Sequence, residues 1–539
     1  MILKDDQPNL KTMKQILFSA AFFVLLNYGY ATTFHIGVVG SGHPYTQIKT
    51  AAAAASPGDT ILLHGGTYDN QNVGEEIDNL HGLPNAWYHI LGAPGEIVIL
   101  TGGWNEALKF SEASYIHVSG LRMMNSGWGN MMNVDDGGTY NTPTHNIIIE
   151  NCIFKDILGQ GNSDVLKLTG VDTFTVRNCR FYNGAWDENQ GGDGAGIDMN
   201  GCHQGVIEDT YFEYPGRFAM QTKAGCHAII IRRNFIQGRP YKPIACERSV
   251  QIGGSHGGIF RPANANYNAA DIWVYSNIFS GGWAPIAFVG TVNSHVINNT
   301  FFMPENWIMR ILQEQTVSDA GIPMLPCANN SFRNNIIYLG NMSPYGEFQV
   351  NYTNTNPGSF TFSNNLWYKI NAPNWTGPSN SPVVDLNNIV NLDPLFVDTL
   401  TYAFDLMAGS PAIGKGVAIP QVMNDYHNLP FNGTRSVGAI EFNTTTAIFH
   451  PATYPGQMTV YQDIHTQELT IELSCVAKTT AQIVISDIQG KTLRNIFSGP
   501  VSSGENNFST ETKSFSPGIY FVSAKTGSGT ISKKIVITR

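Results

Sequence analysis

Four short segments, Leu166-Lys167-Leu168-Thr169, Ile197-Asp198-Met199-Asn200, Met220-Gln221-Thr222-Lys223 and Val250-Gln251-Ile252-Gly253, alternate apolar residues with ammonium, carboxylate and amide side chains. Such groups can hold a sugar, neutralise a carboxylate or move a proton, provided the fold brings them together. In a strand, alternate side chains share a face, and neighbouring parallel strands stand about 4.8 Å apart. If the four segments stack as strands, Lys109, Asn133, Lys167, Asp198, Gln221 and Gln251 form one outward column. Two residues further on, Ser111, Asp135, Thr169, Asn200 and Lys223 form a second, with Asp164 and Arg248 joining at the entry side. Outward residues of any sheet are polar. Here, however, two Lys, an Arg, several Asp and paired Gln crowd adjacent turns, while the later copy Ile286-Ala287-Phe288-Val289 is apolar. Clustered ionisable groups on a rigid scaffold mark a candidate site. Insertions at 185–194, 239–247 and 256–267 are placed to wall the groove, with His256 and Arg261 as further binding residues and Trp186, Tyr241, Phe260 and Tyr267 as surfaces for sugar rings.

The elements that must position these residues show in a second register. An apolar stretch, then Asn or a small residue, then aromatic or aliphatic residues recurs in Ile148-Ile149-Glu150-Asn151-Cys152-Ile153-Phe154 and Thr175-Val176-Arg177-Asn178-Cys179-Arg180-Phe181. It returns through Asn234, Asn277, Asn299-Thr300, Asn335 and Asn365 at spacings of roughly 23 to 43 residues. Self-similarity at that period signals a solenoid. Short β-branched runs broken by Gly, Asn and Asp make its turns strands rather than helices. The fold class is all-β: a right-handed parallel β-helix followed by a small C-terminal β-sandwich. Aligned on these copies, Cys152, Cys179, Thr210, Asn234, Asn277, Thr300, Asn335 and Asn365 form an inner column able to hydrogen-bond along the axis.

Residues 1–31 read as a secretory signal, with Lys11 and Lys14 before the apolar run and Gly29-Tyr30-Ala31 at the cleavage point. The coil spans 32–442, opening with a short Ala-rich helix (Ala51 to Ala55) and a strand that cover its unpaired end. Residues 443–460 form a linker, and 461–539 carry alternating strands. No segment after the signal is long and apolar enough to span a membrane. With 31 basic against 41 acidic residues and no basic stripe, a nucleic-acid partner is not expected. Seven Cys is an odd number, and Cys152 and Cys179 fit stacked interior positions better than a disulfide framework. No pair of Cys or His has zinc spacing. Nothing in the sequence calls for a second copy, so a monomer is expected.

The terminal unit resembles the C-terminal sorting domain of the type IX secretion system. Asp487-Ile488-Gln489-Gly490-Lys491, Gly518-Ile519-Tyr520-Phe521-Val522 and the closing Lys533-Lys534-Ile535-Val536-Ile537 carry that resemblance. It implies export across the outer membrane of a Bacteroidota-type bacterium, with the secretion machinery as a partner. The stretches Asp393-Pro394-Leu395-Phe396, Gly409-Ser410-Pro411-Ala412 and Gly438-Ala439-Ile440-Glu441-Phe442 look like the closing segment of secreted bacterial β-helix proteins.

On Gln221-Thr222-Lys223 and Arg248, the coil resembles the chondroitinase B and alginate lyase family. The resemblance implies a polysaccharide lyase that cleaves an acidic, uronate-containing glycan by β-elimination. Lys223 would be the base, favoured as a neutral amine by nearby Lys167 and Arg248, and Arg248 the stabiliser or acid. Lys167, Asp198, Asn200, Gln221, Gln251, His256 and Arg261 would bind substrate. The family's calcium-binding acidic residues, seven and five positions before its Lys, are here Gly216 and Phe218. No cofactor is fixed by the sequence. Calcium is the ion an Asp cluster suits, with Asp135 and Asp164, beside Asp198, as its candidate ligands. Two other functions fit the same coil. A glycoside hydrolase could use Asp135 and Asp198, roughly 9.6 Å apart across two turns, or Asp164 and Asp198. A non-catalytic glycan-binding adhesin needs only the export signals and the solenoid. The polygalacturonase set is absent, with Gly254-Ser255-His256-Gly257 its only faint echo.

Overall fold

The computed structural model describes residues 31–69, 74–139, 142, 144–159, 163–185, 194–238, 248–340, 346–443, 458–463, 468–475, 478–502, 504–527 and 529–537. Among these, three parallel sheets of 14, 10 and 12 strands form a coil, most turns contributing a strand to each sheet in sequence order and the last turns only to the two larger ones. This is the parallel β-helix that the repeat predicts. The expected signal and most of the linker lie outside the described residues. Among the described residues, no helix is long and apolar enough to cross a membrane.

Each turn buries alternate residues inward. Phe154, Phe181 and Phe212 stack face to face with centroids 4.7 and 4.8 Å apart, close to the strand spacing. The open end is covered as expected by the helix Ile48–Ala54, which buries Ile48, Ala51 and Ala52. The buried Glu75 carboxylate accepts the N–H groups of Ile48 and Lys49 at 3.0 and 2.9 Å. These donors have no partner within the helix, so the carboxylate satisfies them.

The inner column carries one correction. Asn234, Asn277, Asn299 and Asn335 each donate their backbone N–H to the side-chain oxygen of the next Asn, ending at Asn365, at 2.9–3.0 Å. The sixth member is therefore Asn299, and Thr300, expected there, sits one position on. Thr300 Oγ1 instead accepts the N–H of Ala439 in the closing segment, at 3.1 Å. The reason lies in the bend. Every ladder residue follows a residue with positive φ: Asn151 (55°), Asn178 (50°), Asp209 (53°), Arg233 (55°), Ser276 (54°), Asn298 (50°), Asn334 (57°) and Asn364 (57°). With the bend at Asn298, the ladder position falls on Asn299. Asn enters the left-handed region more readily than most residues, which favours it at such bends.

Beyond the coil, a three-stranded and a four-stranded antiparallel sheet share one core that includes Leu469, Ile471, Ile483, Ile485, Val522 and Ile537. The turn at Asp487 forms as expected, with Asp487 Oδ1 accepting the N–H groups of Gln489 (3.0 Å) and Lys491 (2.9 Å). The strand Met458–Asp463 begins inside the stretch expected as linker (443–460), and Thr492–Val501 is a further strand whose exposed and half-buried residues dilute the alternation. All six described Cys are buried free thiols.

Candidate functional site

The ten-stranded sheet carries the candidate residues. Its register aligns Glu76, Lys109, Asn133, Lys167, Asp198, Gln221, Gln251, Ala287 and Arg310 in one column. Beside it, Ser111, Asp135, Thr169, Asn200 and Lys223 form the second. The alternation explains the placement: Leu166, Leu168, Ile197, Met199, Met220 and Val250 are fully buried, which turns the residues between them outward.

Asp198 is the hub. Its carboxylate receives the ammonium of Lys167 on one oxygen and that of Lys223 on the other, the latter at 3.2 Å, and accepts the amide of Asn200 at 3.1 Å. Lys167 also reaches Asp164 at 2.9 Å, and Asp164 accepts the N–H of Ala195 at 2.9 Å. Both carboxylates lie beneath their cations: the Asp198 side chain is 1 % exposed and that of Asp164 2 %, against 21 % for Lys167. Burial alone would raise the Asp198 carboxyl, but the ammoniums of Lys223 and Lys167 outweigh it and bring it down to about 2. Burial and then the charge of Asp198 push Asp164 up to about 6. Lys167, buried but facing both carboxylates, is held firmly as the ammonium. The environments thus drive two neighbouring carboxylates apart.

The row continues through amides. Lys223 Nζ donates to Gln221 Oε1 at 3.2 Å. Gln221 is paired with Gln251, whose Oε1 accepts from Arg248. A Cβ on Gly254 would lie 2.3 Å from Gln251 Nε2 and 2.8 Å from Gln221 Nε2, so the chain leaves the strand at Gly254 packed against the two amides and enters the 254–258 loop. Two residues with no sequence signature pin that loop. Gln315 bonds both the N–H (3.2 Å) and the carbonyl (3.1 Å) of His256, and Glu314 pairs with Arg248 at 2.9 Å. Burial and then the charge of Lys223 lower the His256 pKa, keeping its imidazole neutral at pH 7.

Several expected residues are placed elsewhere. Arg261 turns away from the row. Its guanidinium clamps Asp172 on the fourteen-stranded sheet, at 2.7 Å to Oδ1, and donates to Gly201 O at 2.9 Å, which anchors the loop. Phe260 is buried edge-on against His256 rather than open to a sugar. Trp186 and Tyr241 lie outside the described residues. Asp135 aligns with Thr169 and Asp164 with Asn130, five residues apart along the strands, or about 17 Å. Asp135 is instead held by Ser111 Oγ (2.5 Å), Asn133 Nδ2 (3.1 Å) and Gly137 N (2.9 Å). The residues do not fit calcium: Asp135 is too far from Asp164, and the ammonium of Lys167 already lies between Asp164 and Asp198.

One exposed feature escaped the sequence reading. Trp104 and Trp128, 67 % and 54 % exposed, meet with centroids 4.7 Å apart in the turns leading into the sheet's strands Leu108–Ser111 and Asn130–Asp135. Both sit in Gly-flanked turns one coil apart, a spacing that could have revealed them. Their rings suit the apolar faces of a glycan.

Residues 465–538 match the family model described as a secretion system C-terminal sorting domain. That domain marks the chain for export by the type IX system to the cell surface or beyond. No curated protein matches the chain. Among solved structures, the chain is similar to an alginate lyase from a Paenibacillus species, with 14 % identity, 60 % of this chain and 99 % of that one covered, and a TM-score of 0.41. It is similar also to the A-module of the mannuronan C-5 epimerase AlgE4 of Azotobacter vinelandii, with 13 % identity, coverage of 64 % and 89 %, and a TM-score of 0.35. A third is the catalytic unit of a GH87 alpha-1,3-glucanase from Streptomyces thermodiastaticus, with 13 % identity, coverage of 60 % and 55 %, and a TM-score of 0.30. The likeness is one of coil, and any assignment of chemistry rests on the side chains.

Proposed function

We propose that the ten-stranded face binds an acidic glycan and that the exported chain is a polysaccharide lyase acting by β-elimination at a uronate. The observation that carries this reading is the direction of the charges. Asp198 is buried and occupied by two ammoniums, so the charged groups this cluster turns to solvent are Lys167 and Lys223, with Asn200, Gln221, Gln251 and Arg248 buried beside them as further donors. Donors so arranged suit a substrate carboxylate and the enolate-like charge that forms when its α-proton leaves.

In this reading Lys223, which rests as the ammonium on Asp198, first gives up a proton to solvent; its amine then takes the α-proton, and the C–O bond at the β-carbon breaks to leave an unsaturated uronate. Lys167, fixed by Asp164 and Asp198, neutralises the carboxylate, and Arg248 extends the positive row through Gln251. Neutral His256, close enough to feel the charge of Lys223, would relay the proton or protonate the leaving oxygen. A hydrolase is less well supported. Both candidate carboxylate pairs include Asp198, whose burial beneath two cations keeps it from an anomeric carbon or an activated water.

Incubation of the exported chain with alginate, chondroitin and polygalacturonate tests the reading. Unsaturated-uronate ultraviolet absorbance supports it. New reducing ends without absorbance mean a hydrolase, and binding with neither means an adhesin. A detected elimination activity that survived Lys223→Ala would remove Lys223 from its role.

A further inference from the structure

We propose that His35, His43 and His64 form a binding site for one divalent transition-metal ion, zinc(II) being the chemical type, at the N-terminal end of the coil. Among the described residues they are the one group of three or more His, Cys, Asp or Glu side chains whose potential ligand atoms all lie within 4.8 Å of one another. They come from three places: His35 on the strand Thr33–Ile36, His43 in the turn beyond it, and His64 immediately after the strand Thr60–Leu63. The parallel register sets His35 opposite Leu62, two residues before His64.

The turn is built to deliver His43. A Cβ on Gly37 would lie 2.1 Å from Ser41 Oγ and 2.4 Å from His43 Cδ2, so glycine there lets the turn fold onto the strand. The His43 and His64 rings then lie 4.1 Å apart and 9° from parallel, with the His35 ring 5.2 Å from that of His64.

The Glu96 carboxylate is an independent indication. Its Oε1 lies 3.2 Å from His64 Nδ1, while Oε2 accepts the N–H of Gly65 at 2.6 Å, which fixes the carboxylate in place. A proton held on Nδ1 by Glu96 leaves the Nε2 lone pair of His64 free. That lone pair faces His35 Nδ1 at 2.9 Å, inside the cluster. A carboxylate that orients a histidine in this way is the usual outer partner of a metal-bound imidazole.

Nitrogen donors favour zinc, nickel or copper over calcium or magnesium. Tetrahedral zinc with Zn–N bonds of about 2.0–2.1 Å needs nitrogens roughly 3.3 Å apart. Rotation of the exposed His35 and half-buried His43 side chains supplies the closure. His35 Nδ1 binds once its proton moves to solvent-facing Nε2, so neutral imidazoles need release no net proton. A water completes the fourth position. The bound ion ties the first strand, its turn and the second strand together where the coil begins, far along the chain from the polar row.

The test uses the full chain without a polyhistidine tag, stripped with chelator and titrated with zinc by calorimetry. One equivalent is expected to bind and to raise the unfolding temperature. His43→Ala and His64→Ala should each abolish binding, and Glu96→Gln should weaken it about 10- to 100-fold. Cobalt(II) bound to the unaltered chain should show the strong visible absorption of tetrahedral nitrogen ligation, a readout that does not depend on any variant folding. Absence of saturable zinc binding, a cobalt spectrum like that of the aqueous ion, or binding that survives in both alanine variants would each overturn the proposal.

Discussion

Inside the coil, Asn234, Asn277, Asn299, Asn335 and Asn365 repeat a single hydrogen-bonding unit from turn to turn, whereas on its face Lys167, Asp198, Gln221 and Gln251 repeat the spacing without repeating the chemistry. In the ladder each side-chain oxygen accepts from the turn before, and each amide NH2 donates to backbone carbonyls, as Asn277 does to Ile231 and Tyr275 at 2.9 and 3.0 Å. Its hydrogen-bonding capacity is used. On the face, neighbours differ in charge, and buried atoms such as Asn133 Oδ1, Asn200 Oδ1 and Arg248 Nε have no hydrogen-bond partner. Native proteins satisfy nearly all buried polar atoms, and exceptions gather where a ligand or reaction uses them. Stacking geometry is thus common to structure and site. Uniformity of the stacked residue is what distinguishes them.

The largest effect that tests this contrast is on catalysis. Lys223→Ala should lower elimination 10²- to 10⁴-fold, the usual contribution of a positioned acid or base, with a smaller loss of stability because the buried Asp198 keeps Lys167 as its remaining cation. Turnover measured beside denaturant unfolding checks it. A large loss of stability with unaltered turnover would put Lys223 on the structural side of the comparison.

Asn277→Ala should do the reverse. It removes a buried amide that accepts the N–H of Asn234 and donates to carbonyls of two turns. Each of the three stranded groups costs about 1–3 kcal/mol, so a loss of at least roughly 3 kcal/mol is expected in urea unfolding, with KM unaffected.

The way these stacks could and could not be read in advance follows the same line. The columns on the face were legible because strand periodicity fixes which residues point outward, and parallel stacking fixes their neighbours. The ladder slipped by one at Asn298-Asn299-Thr300 because both candidate residues are polar and only the bend at Asn298 decides between them. Arg261 read as a ligand because its partner Asp172 is 89 residues away. The Gln315 clamp on His256 and the meeting of His35, His43 and His64 were equally hidden, since they join elements that no periodicity relates. Contacts along a column can be read from one sequence, while contacts between a loop and a distant turn need the fold.

A third prediction concerns acid. Asp164 is raised from 3.8 to about 6, so between those values the folded state holds a proton that the unfolded state has lost. Stability from this group therefore falls as pH rises from about 4 to 6, by roughly 3 kcal/mol at most. Asp198, brought down to about 2, acts oppositely, contributing stability above about pH 4 that is lost as pH falls towards 2. The gap between the parent and Asp164→Asn in unfolding free energy should narrow or reverse across pH 4–6. A constant gap would mean that Asp164 is ionised throughout and that the two carboxylates are equivalent.

The smallest expected effect separates positions within the ladder itself. Cys179 occupies the same column as Asn277, and its thiol lies 3.3 Å from Arg177 O and 3.6 Å from Ile149 O, while its backbone N–H donates to Thr210 Oγ1 at 3.3 Å. A thiol is a weak donor, and burial pushes its pKa well up, so it stays a neutral S–H. Its backbone bond to Thr210 also survives truncation. Cys179→Ala should then cost on the order of 1 kcal/mol, mostly lost packing, against the larger cost at Asn277. Equal costs in matched urea titrations would mean that packing rather than the hydrogen-bonded amide sets the strength of the column, and uniformity of the stack would lose its meaning as a mark of structure.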